Sequence, residues 1–397
     1  MDKPKAVALG EVIKPRREKV LPSQFPNLPF VGMEHVEAHT MRLLGTVPAD
    51  TMRSNANRFY KGDVLYGRLR PYLNKVYQPN FDGLCSSEFI VLPKTDGVEP
   101  DFLKYQLNSH DFMSFASHLN TGDRPRVDFD QLSSFELILP SYFEQQRTVA
   151  AIETQFSRLD EAVTALKRIK ANLKRYKAAV LKAAVEGKLV TFEQKKWKTT
   201  TVGEVSEVVT KGSSPNWQGF EYSSEGVVFV RSQNVSWGHL DLSDVAHLPL
   251  AFNKKEKKSV LKTGDVLLNI VGASIGRAAV ATKSIEGGNV NQAVAVIRPL
   301  RDRLLPHFLM CYFLSEKVQK LIHFQKVDVA RANYSLDQIR KLPLHLPPLD
   351  DQHRIVEEIE SRLSITEEIE EAIDVNLKRT NRLRQAILKQ AFSGHIT

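Results

Sequence analysis

Cysteine is scarce in this sequence: its 397 residues include only two, Cys85 and Cys311, which lie far apart. Two distant cysteines exclude a disulfide framework and a cysteine-based zinc site, and they fit a reducing compartment. Long apolar runs are also missing, because the longest, such as 265–271, fall far short of the ~20 residues that a membrane span needs. The first residues, MDKPKAVALGEV, show no apolar core after their charges. We therefore expect a soluble, cytoplasmic protein.

Catalytic motifs are scarce as well. The sequence contains no GxxxxGKS/T phosphate loop, no GxGxxG after a strand, and no HExxH among its 11 histidines. Residues 272–276, GASIG, match the GxSxG nucleophile elbow of serine hydrolases. An elbow turns from a strand into a helix, however, and here a second β-like run follows at 277–281. We interpret the segment as a glycine-containing hairpin loop, and we expect this chain to catalyse no reaction.

The composition is that of a basic globular protein. Hydrophobic residues make up 42% of the chain, which is enough for two or three domains with their own cores. Lys and Arg number 55 against 46 Asp and Glu, so the formal net charge is +9 and the pI is about 9.3. This positive balance favours a polyanionic partner such as a nucleic acid.

An internal repeat organises the chain. Residues 139–190 and 346–397 align without a gap when one is shifted by 207 positions, and about 16 of the 52 residues are identical. The likeness continues upstream, where KGDVL at 61–65 matches TGDVL at 263–267. Such self-similarity indicates two diverged copies of one unit. Each copy consists of a globular part followed by a long helix.

The two long helices are predicted from apolar periodicity. In the first copy, apolar residues between 149 and 166 recur at alternating spacings of three and four, the pattern of a coiled-coil seam. The helix is predicted from about residue 144 to 186, and the second copy predicts an equivalent seam from 359 to 387. A helix of this length cannot bury its apolar stripe alone, so we predict that the two helices pack on each other.

The charge pattern predicts that these helices are antiparallel. Both are rich in acids in their first halves and in bases in their second halves, as at 357–371 and 378–389. Antiparallel packing places acids opposite bases at both ends, whereas parallel packing places like charges together. Complementing each helix dipole is an alternative explanation of this polarity.

The globular parts combine short β-rich runs with short helices, which we predict at 100–108 and 306–320. The predicted fold class is α+β: two mixed α/β domains, related by an approximate two-fold axis, and two long helices that form an antiparallel coiled coil. The predicted boundaries are 1–139 and 191–346 for the globular domains and 140–190 and 347–397 for the spacer helices.

Basic, amide and aromatic residues gather in predicted loops of both globular parts. Arg and Asn can make bidentate contacts to base edges, Lys and Ser can bind phosphates, and aromatic rings can stack or wedge. Any one of these residues fits an ordinary surface position, but their recurrence at matching places favours a DNA-binding surface. The candidates in the first part are Tyr66, Arg68, Arg70, Tyr72, Lys75, Arg124 and Arg126. Those in the second part are Lys211, Asn216, Trp217, Arg231, Ser232, Asn234, Trp237, Asn269, Ser274, Arg277, Arg331 and Asn333.

Characteristic motifs stand at both ends of each long helix. The second copy begins with LPPLDDQHRIV at 346–356 and ends with QAILKQAFSG at 385–394, and the first copy has weaker versions at 139–149 and 177–187. Together with two variable globular parts, this arrangement resembles the DNA-specificity subunit of a type I restriction-modification system. The resemblance spans the whole chain and is strongest in the helices and the GDVL segments.

The resemblance implies a non-catalytic subunit that holds no cofactor or metal. Each globular part would be a target recognition domain for one half of a bipartite, asymmetric DNA site, and the helix pair would be a spacer that docks two methyltransferase subunits. Those subunits would bind S-adenosylmethionine and methylate adenine by base flipping, and a motor and nuclease subunit would complete the enzyme. The motif residues implied to bind partners are Gln145, Arg147, Gln352, Arg354, Ala391 and Phe392.

Two other classes stay open at this point: a stand-alone enzyme and a protein-only coiled-coil adaptor. The lack of catalytic motifs disfavours the enzyme. An adaptor would bind its protein partner and show no salt-dependent, sequence-selective affinity for DNA, whereas the affinity of a DNA-recognition protein falls by decades between low and moderate salt. Two similar domains on antiparallel helices also suit half-sites about one helical turn, ~34 Å, apart.

Overall fold

The computed structural model describes residues 5–119, 122–191, 197–324 and 333–393. The chain forms two compact units: unit 1 combines Met1–Lys167 with Asp374–Thr397, and unit 2 is Arg168–Ile373. Each long helix therefore begins in one unit and ends in the other. Of the helices in the described ranges, none is long and apolar enough to cross a membrane.

Unit 1 contains ten short strands among its described residues. They are β1 (Lys5–Ala8), β2 (Lys19–Val20), β3 (Pro29–Val31), β4 (Val47–Pro48), β5 (Ala56–Phe59), β6 (Val64–Gly67), β7 (Val76–Tyr77), β8 (Gly83–Cys85), β9 (Phe89–Leu92) and β10 (Glu136–Leu139). They form an antiparallel β1-β10 pair, a five-stranded sheet of order β2-β5-β8-β3-β4, and a three-stranded sheet of order β7-β6-β9. The helices are α1 (Leu9–Val12), α2 (Pro100–Asn108), α3 (His110–His118), α4 (Phe129–Leu132) and α5 (Tyr142–Val185), which continues into unit 2.

Unit 2 contains nine strands in the part that the structure describes. They are β11 (Lys198–Thr201), β12 (Ser206–Lys211), β13 (Val227–Val230), β14 (Ala246–Leu248), β15 (Val266–Asn269), β16 (Ala278–Val280), β17 (Asn289–Val290), β18 (Val294–Pro299) and β19 (Pro343–Leu346). They form a β11-β19 pair and sheets of order β12-β18-β15-β16 and β14-β13-β17. The helices are α6 (Ala251–Lys255), α7 (Pro306–Leu314), α8 (Glu316–Phe324), α9 (Leu336–Arg340) and α10 (Leu349–Phe392), which continues into unit 1.

Both units pair their central strands in the same way. In unit 1, β3 lies antiparallel to β4 and parallel to β8, and in unit 2, β13 lies antiparallel to β14 and parallel to β17. Similarly, β6 pairs with β7 and β9 as β15 pairs with β16 and β18. The repeat in the sequence therefore corresponds to a repeated fold, and the predicted α+β class is confirmed.

The GDVL segments form the same turn in both units. Gly62 and Gly264 both have a φ of +89°, a left-handed conformation that a residue with a Cβ rarely adopts. The aspartate that follows, Asp63 or Asp265, is buried and accepts a hydrogen bond from the backbone N–H three residues earlier (2.9 and 2.8 Å). The turn thus leads directly into the central strand, β6 or β15.

The long helices match their predicted bounds. Helices α5 and α10 each contain 44 residues, and both of their ends keep the 207-residue offset of the repeat. The prediction of a helix from about 144 to 186 differs from α5 by two residues at its start and one at its end. A sustained coiled-coil spacing is a strong local signal, which is why the bounds could be predicted.

Each unit separately confirms that the helices are antiparallel. In unit 1, Ile152 and Phe156 near the start of α5 share a hydrophobic core with Leu388 near the end of α10. In unit 2, Lys177 near the end of α5 pairs with Glu370 in α10, their Nζ and Oε2 atoms 2.7 Å apart. Opposite charges therefore meet as the charge pattern predicted.

One predicted helix is wrong. The segment predicted as a single helix at 306–320 is two helices, because α7 ends at Leu314 and α8 begins at Glu316. Ser315, between them, is buried and extended, with ψ 145°, and its hydroxyl donates to the carbonyl of Tyr312 (2.7 Å). Ser109 separates α2 from α3 in unit 1 in the same way. A serine that bonds the backbone competes with helix continuation.

Candidate nucleic-acid interface

The strands of unit 2 bring separate loops to one edge of its sheets. β15 ends at Asn269, opposite Val294 at the start of β18, so the loops next to these two residues leave the sheet together. The parallel strands β13 and β17 end there too, since the amide of Asn291 donates to the carbonyl of Val230 (3.1 Å). We call the segments 231–241, 270–277 and 291–293 the unit 2 loop edge.

The side chain of Asn269 connects two of these segments. It is fully buried, and its Nδ2 donates to the carbonyl of Ser232 (2.7 Å). Asn333 lies beside the same edge, because it forms an isolated antiparallel bridge with Val271. Backbone pairing therefore brings together candidates that are up to a hundred residues apart in the sequence.

Unit 1 forms the same edge from the equivalent strands. β6 ends at Gly67, opposite Phe89 at the start of β9, and the parallel strands β3 and β8 lie next to them. The loop after β3 contacts the loop after β6 through Lys75, whose Nζ donates to the carbonyl of Met33 (2.5 Å). We call the segments 32–44, 68–75, 86–88 and 124–127 the unit 1 loop edge.

Two arginine-containing loops that are distant in the sequence meet at the unit 1 loop edge. The amide of Arg70 donates to the carbonyl of Pro125 (2.8 Å), and Leu69 forms an isolated antiparallel bridge with Arg126. This bridge is the counterpart of the Val271–Asn333 bridge in unit 2. The predicted residues that are exposed here are Arg70, Tyr72, Arg124 and Arg126.

Carboxylates already compensate part of the positive charge at the unit 1 loop edge. Arg68 pairs with Asp128, and Arg126 pairs with Glu88. Lys75 points inward, and burial lowers the pKa of its ammonium group. Among the described residues, Arg70 and Arg124 have no ion-pair partner. These two guanidinium groups are therefore the ones most available to a phosphate or a base edge.

The loop at 32–44 is not among the residues predicted from the sequence, although it occupies the same place in unit 1 as 231–241 does in unit 2. A signal for it exists. FVGMEHV at 30–36 and FVRSQNV at 229–235 share Phe-Val at the start and Val at the end, and both follow the same kind of strand. The offset between them is shorter than the offset of the helices, so the alignment that identified the helices does not reveal it.

A side-chain cap shapes both of these loops. In unit 1, the ring Nδ1 of His35 accepts a hydrogen bond from the amide of Gly32 (2.9 Å), and in unit 2, the Oδ1 of Asn234 accepts one from the amide of Arg231 (2.9 Å). Asn234 is 2% exposed, and its Nδ2 donates to the carbonyl of Asp241 (2.9 Å). Its prediction as a DNA contact is therefore wrong, because its polar atoms shape the loop.

Two further predicted contacts are wrong for the same reason. Tyr66 lies in β6 and is 1% exposed, with its ring edge-to-face against Phe112 at a centroid distance of 5.3 Å. Burial raises the pKa of its phenol. Asn269 is also fully buried and bonds the backbone of the neighbouring loop. Neither side chain can reach a ligand at the surface.

The other predicted residues of unit 2 differ in exposure. Trp237 and Asn333 are exposed at the unit 2 loop edge. Arg231 pairs with Asp244, its guanidinium nitrogen 3.2 Å from Oδ2. The half-buried ones are Lys211, Ser232, Ser274 and Arg277. Arg331 lies outside the described residues, so its prediction stays as made.

Asn216 and Trp217 are not brought to the unit 2 loop edge. Their short turn contacts α6, because the Nζ of Lys255 donates to the carbonyl of Gln218 (2.9 Å). α6 follows β14, and Leu248 at the end of β14 pairs with Val227 at the start of β13. The start of β13 is the end of that strand remote from the loop edge. The exposed indole of Trp217 therefore belongs to a different part of the surface.

Comparison with known proteins decides the family. The model of the type I restriction modification DNA specificity domain matches residues 1–175 and 194–379, most of the chain. The chain belongs to this family. Its function is therefore recognition of DNA sequence in a type I restriction-modification system.

Individual proteins that are similar to this chain are also specificity subunits of type I systems. The specificity subunit of the type I restriction enzyme EcoBI of Escherichia coli is 29% identical over 383 residues, covering 88% of this chain and 79% of the relative. That of EcoKI, from E. coli K12, is 25% identical and covers 80% and 68%. The HsdS subunit of Thermoanaerobacter tengcongensis has a TM-score of 0.63 at 23% identity, covering 98% and 97%. A chain from a type I R-M complex has a TM-score of 0.80 at 22% identity and covers 98% of both chains.

The motif glutamines of the specificity subunit are structural. Gln145 and Gln352 are fully buried, and the Oε1 of each accepts a hydrogen bond from a backbone N–H, that of Glu99 (2.9 Å) or Leu305 (2.8 Å). The Nε2 of each donates to two backbone carbonyls at 2.8 to 3.0 Å. Their prediction as partner contacts is wrong, because these atoms join the start of each long helix to the globular part of its own unit.

The other motif residues of the specificity subunit divide into buried and exposed ones. Ala391 and Phe392 pack into the core of unit 1, where the ring of Phe392 lies edge-to-face against Phe102 at 5.4 Å. The predicted partner contact at Ala391 is therefore wrong, because Ala391 is buried, whereas Phe392 is half-buried and its prediction stays as made. Arg147 and Arg354 are exposed.

The structure also shows where the GxSxG-like segment and the two cysteines lie. The GASIG segment connects the antiparallel strands β15 and β16, which confirms the predicted hairpin loop. Cys85 and Cys311 are free and buried, and burial raises the pKa of the Cys311 thiol to about 12. Across the described ranges, no group of three or more His, Cys, Asp or Glu side chains is arranged to hold a metal ion.

The conclusion that the Tyr66 side chain is buried and does not contact DNA can be tested. Tyr66→Phe is expected to raise the free energy of unfolding by about 1 kcal/mol and to leave DNA affinity unchanged, because the buried hydroxyl has no hydrogen-bond partner among the described residues. Urea unfolding and DNA-binding titrations of the full chain measure the two effects. Tyr72→Phe, at a 46% exposed position of the loop edge, is the matched variant. A fall in DNA affinity for Tyr66→Phe would place that hydroxyl back at the interface.

Proposed function

We propose that the specificity subunit recognises a bipartite, asymmetric DNA site, with one half-site at each loop edge. It would catalyse no reaction itself. It would position two adenine methyltransferase subunits, which bring S-adenosylmethionine, and through them a motor and nuclease subunit. The methyltransferases would act on adenines flipped out of the duplex.

Two different half-sites are supported by one observation: the same arrangement of strands and loops in the two units carries different side chains. The unit 1 and unit 2 loop edges are formed by equivalent strands and equivalent bridges. At the bridge, however, unit 1 has Arg126, which would exchange its ion pair with Glu88 for a base edge, where unit 2 has the exposed Asn333. Arg favours guanine O6 and N7, and Asn favours adenine N6 and N7, so equivalent positions would select different bases.

A pair of equivalent docking positions supports two methyltransferase subunits. Arg147 and Arg354 are exposed at matching positions near the starts of α5 and α10. A surface that occurs twice on one chain suits two copies of one partner. The buried glutamines next to them hold each helix start in place, so these arginines would have defined positions.

A domain exchange tests this function. Replacing residues 1–139 with the matching segment of a related specificity subunit should change one half of the methylated site and leave the other half intact. Genome-wide mapping of methyladenine in a host with and without the gene measures both halves at once. The reciprocal exchange of residues 191–346 is the control, and it should change only the other half. If either exchange altered both halves, independent recognition by the two units would be wrong.

A further inference from the structure

A second basic surface lies on unit 2, away from its loop edge. Helix α6 and the turn after it contain the run Lys254, Lys255, Glu256, Lys257, Lys258, and all four lysines are exposed. α6 follows β14, and Leu248 of β14 lies opposite Val227, the first residue of β13. The loop edge, by contrast, begins after Val230, the last residue of β13.

The single acid in this run does not neutralise the surface. Glu256 is 6% exposed, and its backbone carbonyl accepts a hydrogen bond from the Nδ2 of Asn289 (3.1 Å). Its carboxylate forms an ion pair with Lys258, with the Nζ and Oε2 atoms 3.8 Å apart. The four lysines therefore exceed the one acid by three charges, and the surface of this run stays strongly positive.

An exposed aromatic side chain is held next to these lysines. Trp217 is 81% exposed, more than any other large apolar side chain in the described ranges. Its turn is fixed by the bond from Lys255 to the carbonyl of Gln218 and by Phe220, whose ring lies edge-to-face against Phe252 at 5.4 Å. Surfaces that bind single-stranded nucleic acids combine aromatic rings with positive charge, and the indole of Trp217 offers an apolar contact of the same kind beside these ammonium groups.

Unit 1 has no equivalent of this surface. The segment that follows β4, at 49–55, contains one acid, Asp50, and one base, Arg53. The lysine run is therefore an addition to unit 2 alone and is not required by the shared fold. A feature that the fold does not require needs another explanation, and its charge points to a polyanion.

We propose that Lys254, Lys257, Lys258 and Trp217 form a second DNA-contact surface, which binds the sugar–phosphate backbone outside the half-site recognised by unit 2. Lysine ammonium groups act as flexible point charges that bind phosphates without selecting bases. β13 spans about 10 Å at ~3.3 Å per residue, so the separation of the two surfaces along this strand is less than the ~34 Å of one helical turn of DNA. This inference rests on the proposed function.

A charge-neutralising variant of the full chain tests the proposal. K254Q/K257Q/K258Q leaves Lys255 and its structural bond in place. The matched control, K317Q/K320Q/K341Q, removes three exposed lysines, two in α8 and one directly after α9. Affinity is measured over a series of salt concentrations for a duplex that contains the methylated site and for one of equal length that lacks it.

The surface variant should weaken binding to both duplexes by the same factor. The slope of log K against log salt should become shallower by up to about 2.7, since each phosphate contact contributes about 0.9. The control should keep the wild-type slope. W217F should remove the part of the DNA-dependent fluorescence change that comes from Trp217, with Trp197 and Trp237 providing the remaining signal.

Other outcomes would overturn this inference separately from the proposed function. If wild type prefers the specific duplex but the surface variant keeps the wild-type slope, the second surface is wrong while the proposed function stands. If the surface variant keeps its DNA affinity but loses assembly with its partner subunits, the lysines bind an acidic protein instead. If wild type shows no preference between the duplexes, the proposed function itself fails.

Discussion

Replacing Gln352 with alanine is expected to lower the free energy of unfolding of unit 2 by about 3–5 kcal/mol. The amide side chain is fully buried and makes three hydrogen bonds to backbone groups. Alanine would remove the side-chain partner of the Leu305 N–H and of the Arg303 and Pro347 carbonyls, in bonds that are half-buried or buried. Each such group costs about 1–3 kcal/mol, which makes this one of the largest single-residue effects in the subunit.

The repeat provides an independent second measurement. Gln145→Ala should destabilise unit 1 by a similar amount, because it removes the same three kinds of bond. Gln146→Ala, at the exposed neighbouring position, is the matched control and should change stability by less than about 0.5 kcal/mol. Urea unfolding of the full chain gives the total effect. Hydrogen exchange at the amides of Glu99 and Leu305 assigns it to a unit.

These glutamine variants also separate a structural role from a docking role. If Gln352→Ala kept wild-type stability and wild-type exchange at Leu305 but failed to bind a methyltransferase, the partner-contact prediction from the motif would be correct after all. If instead stability falls and the Leu305 amide exchanges faster, the motif glutamine acts inside the subunit.

The two long helices could be predicted from the sequence because the patterns that specify them are local. The alternating spacing of apolar residues determines the helix, and the polarity of charge along each helix determines the antiparallel arrangement. Lys177 and Glu370 show that this polarity acts between the helices in unit 2 and not only on the helix dipoles. The glutamine motif was recognised as well, but its burial could not be predicted, because two of the three groups that each glutamine bonds are more than forty residues away in the sequence.

The loop edges were predictable only in part, because non-local strand pairing assembles them. Arg70 and Arg126 were both proposed, yet nothing in the sequence shows that their loops bridge. Tyr66 is the third of the four residues of β6, and Asn269 is the last residue of the equivalent strand β15. Both therefore lie close to the loop that follows their strand. A strand that is buried on both faces shows no alternation of polar and apolar residues, so sequence alone could not assign these two side chains to the core.

Asp265→Asn is expected to cost about 3–5 kcal/mol, because it removes the charge of the buried partner of Arg298 and leaves the more distant Glu207 as the remaining acid that favours this guanidinium group. Asp265 is 1% exposed and bonds Arg298 in a bidentate manner, with both N–O distances 2.7 Å. The pair fixes the turn that leads into β15, so its loss should also disturb the unit 2 loop edge. Unfolding measurements should be accompanied by DNA-binding titrations.

The equivalent pair in unit 1 provides the internal comparison. Asp63 bonds Arg16 at longer distances, 3.1 and 3.3 Å, and the Arg16 side chain is 26% exposed, compared with 14% for Arg298. Water can therefore solvate Arg16 when its partner is neutralised, and Asp63→Asn should cost less than Asp265→Asn.

A double-mutant cycle separates charge pairing from packing at this turn. Arg298→Met removes the stranded charge, so Asp265→Asn should cost markedly less in the Arg298→Met background than in wild type. If the two substitutions were additive, the cost of Asp265→Asn would come from its backbone bond to Lys262. The turn would then depend on the aspartate as a charged cap, and Asp63→Asn, which replaces a carboxylate acceptor by a weaker amide acceptor in the matching bond from Tyr60, should be equally destabilising.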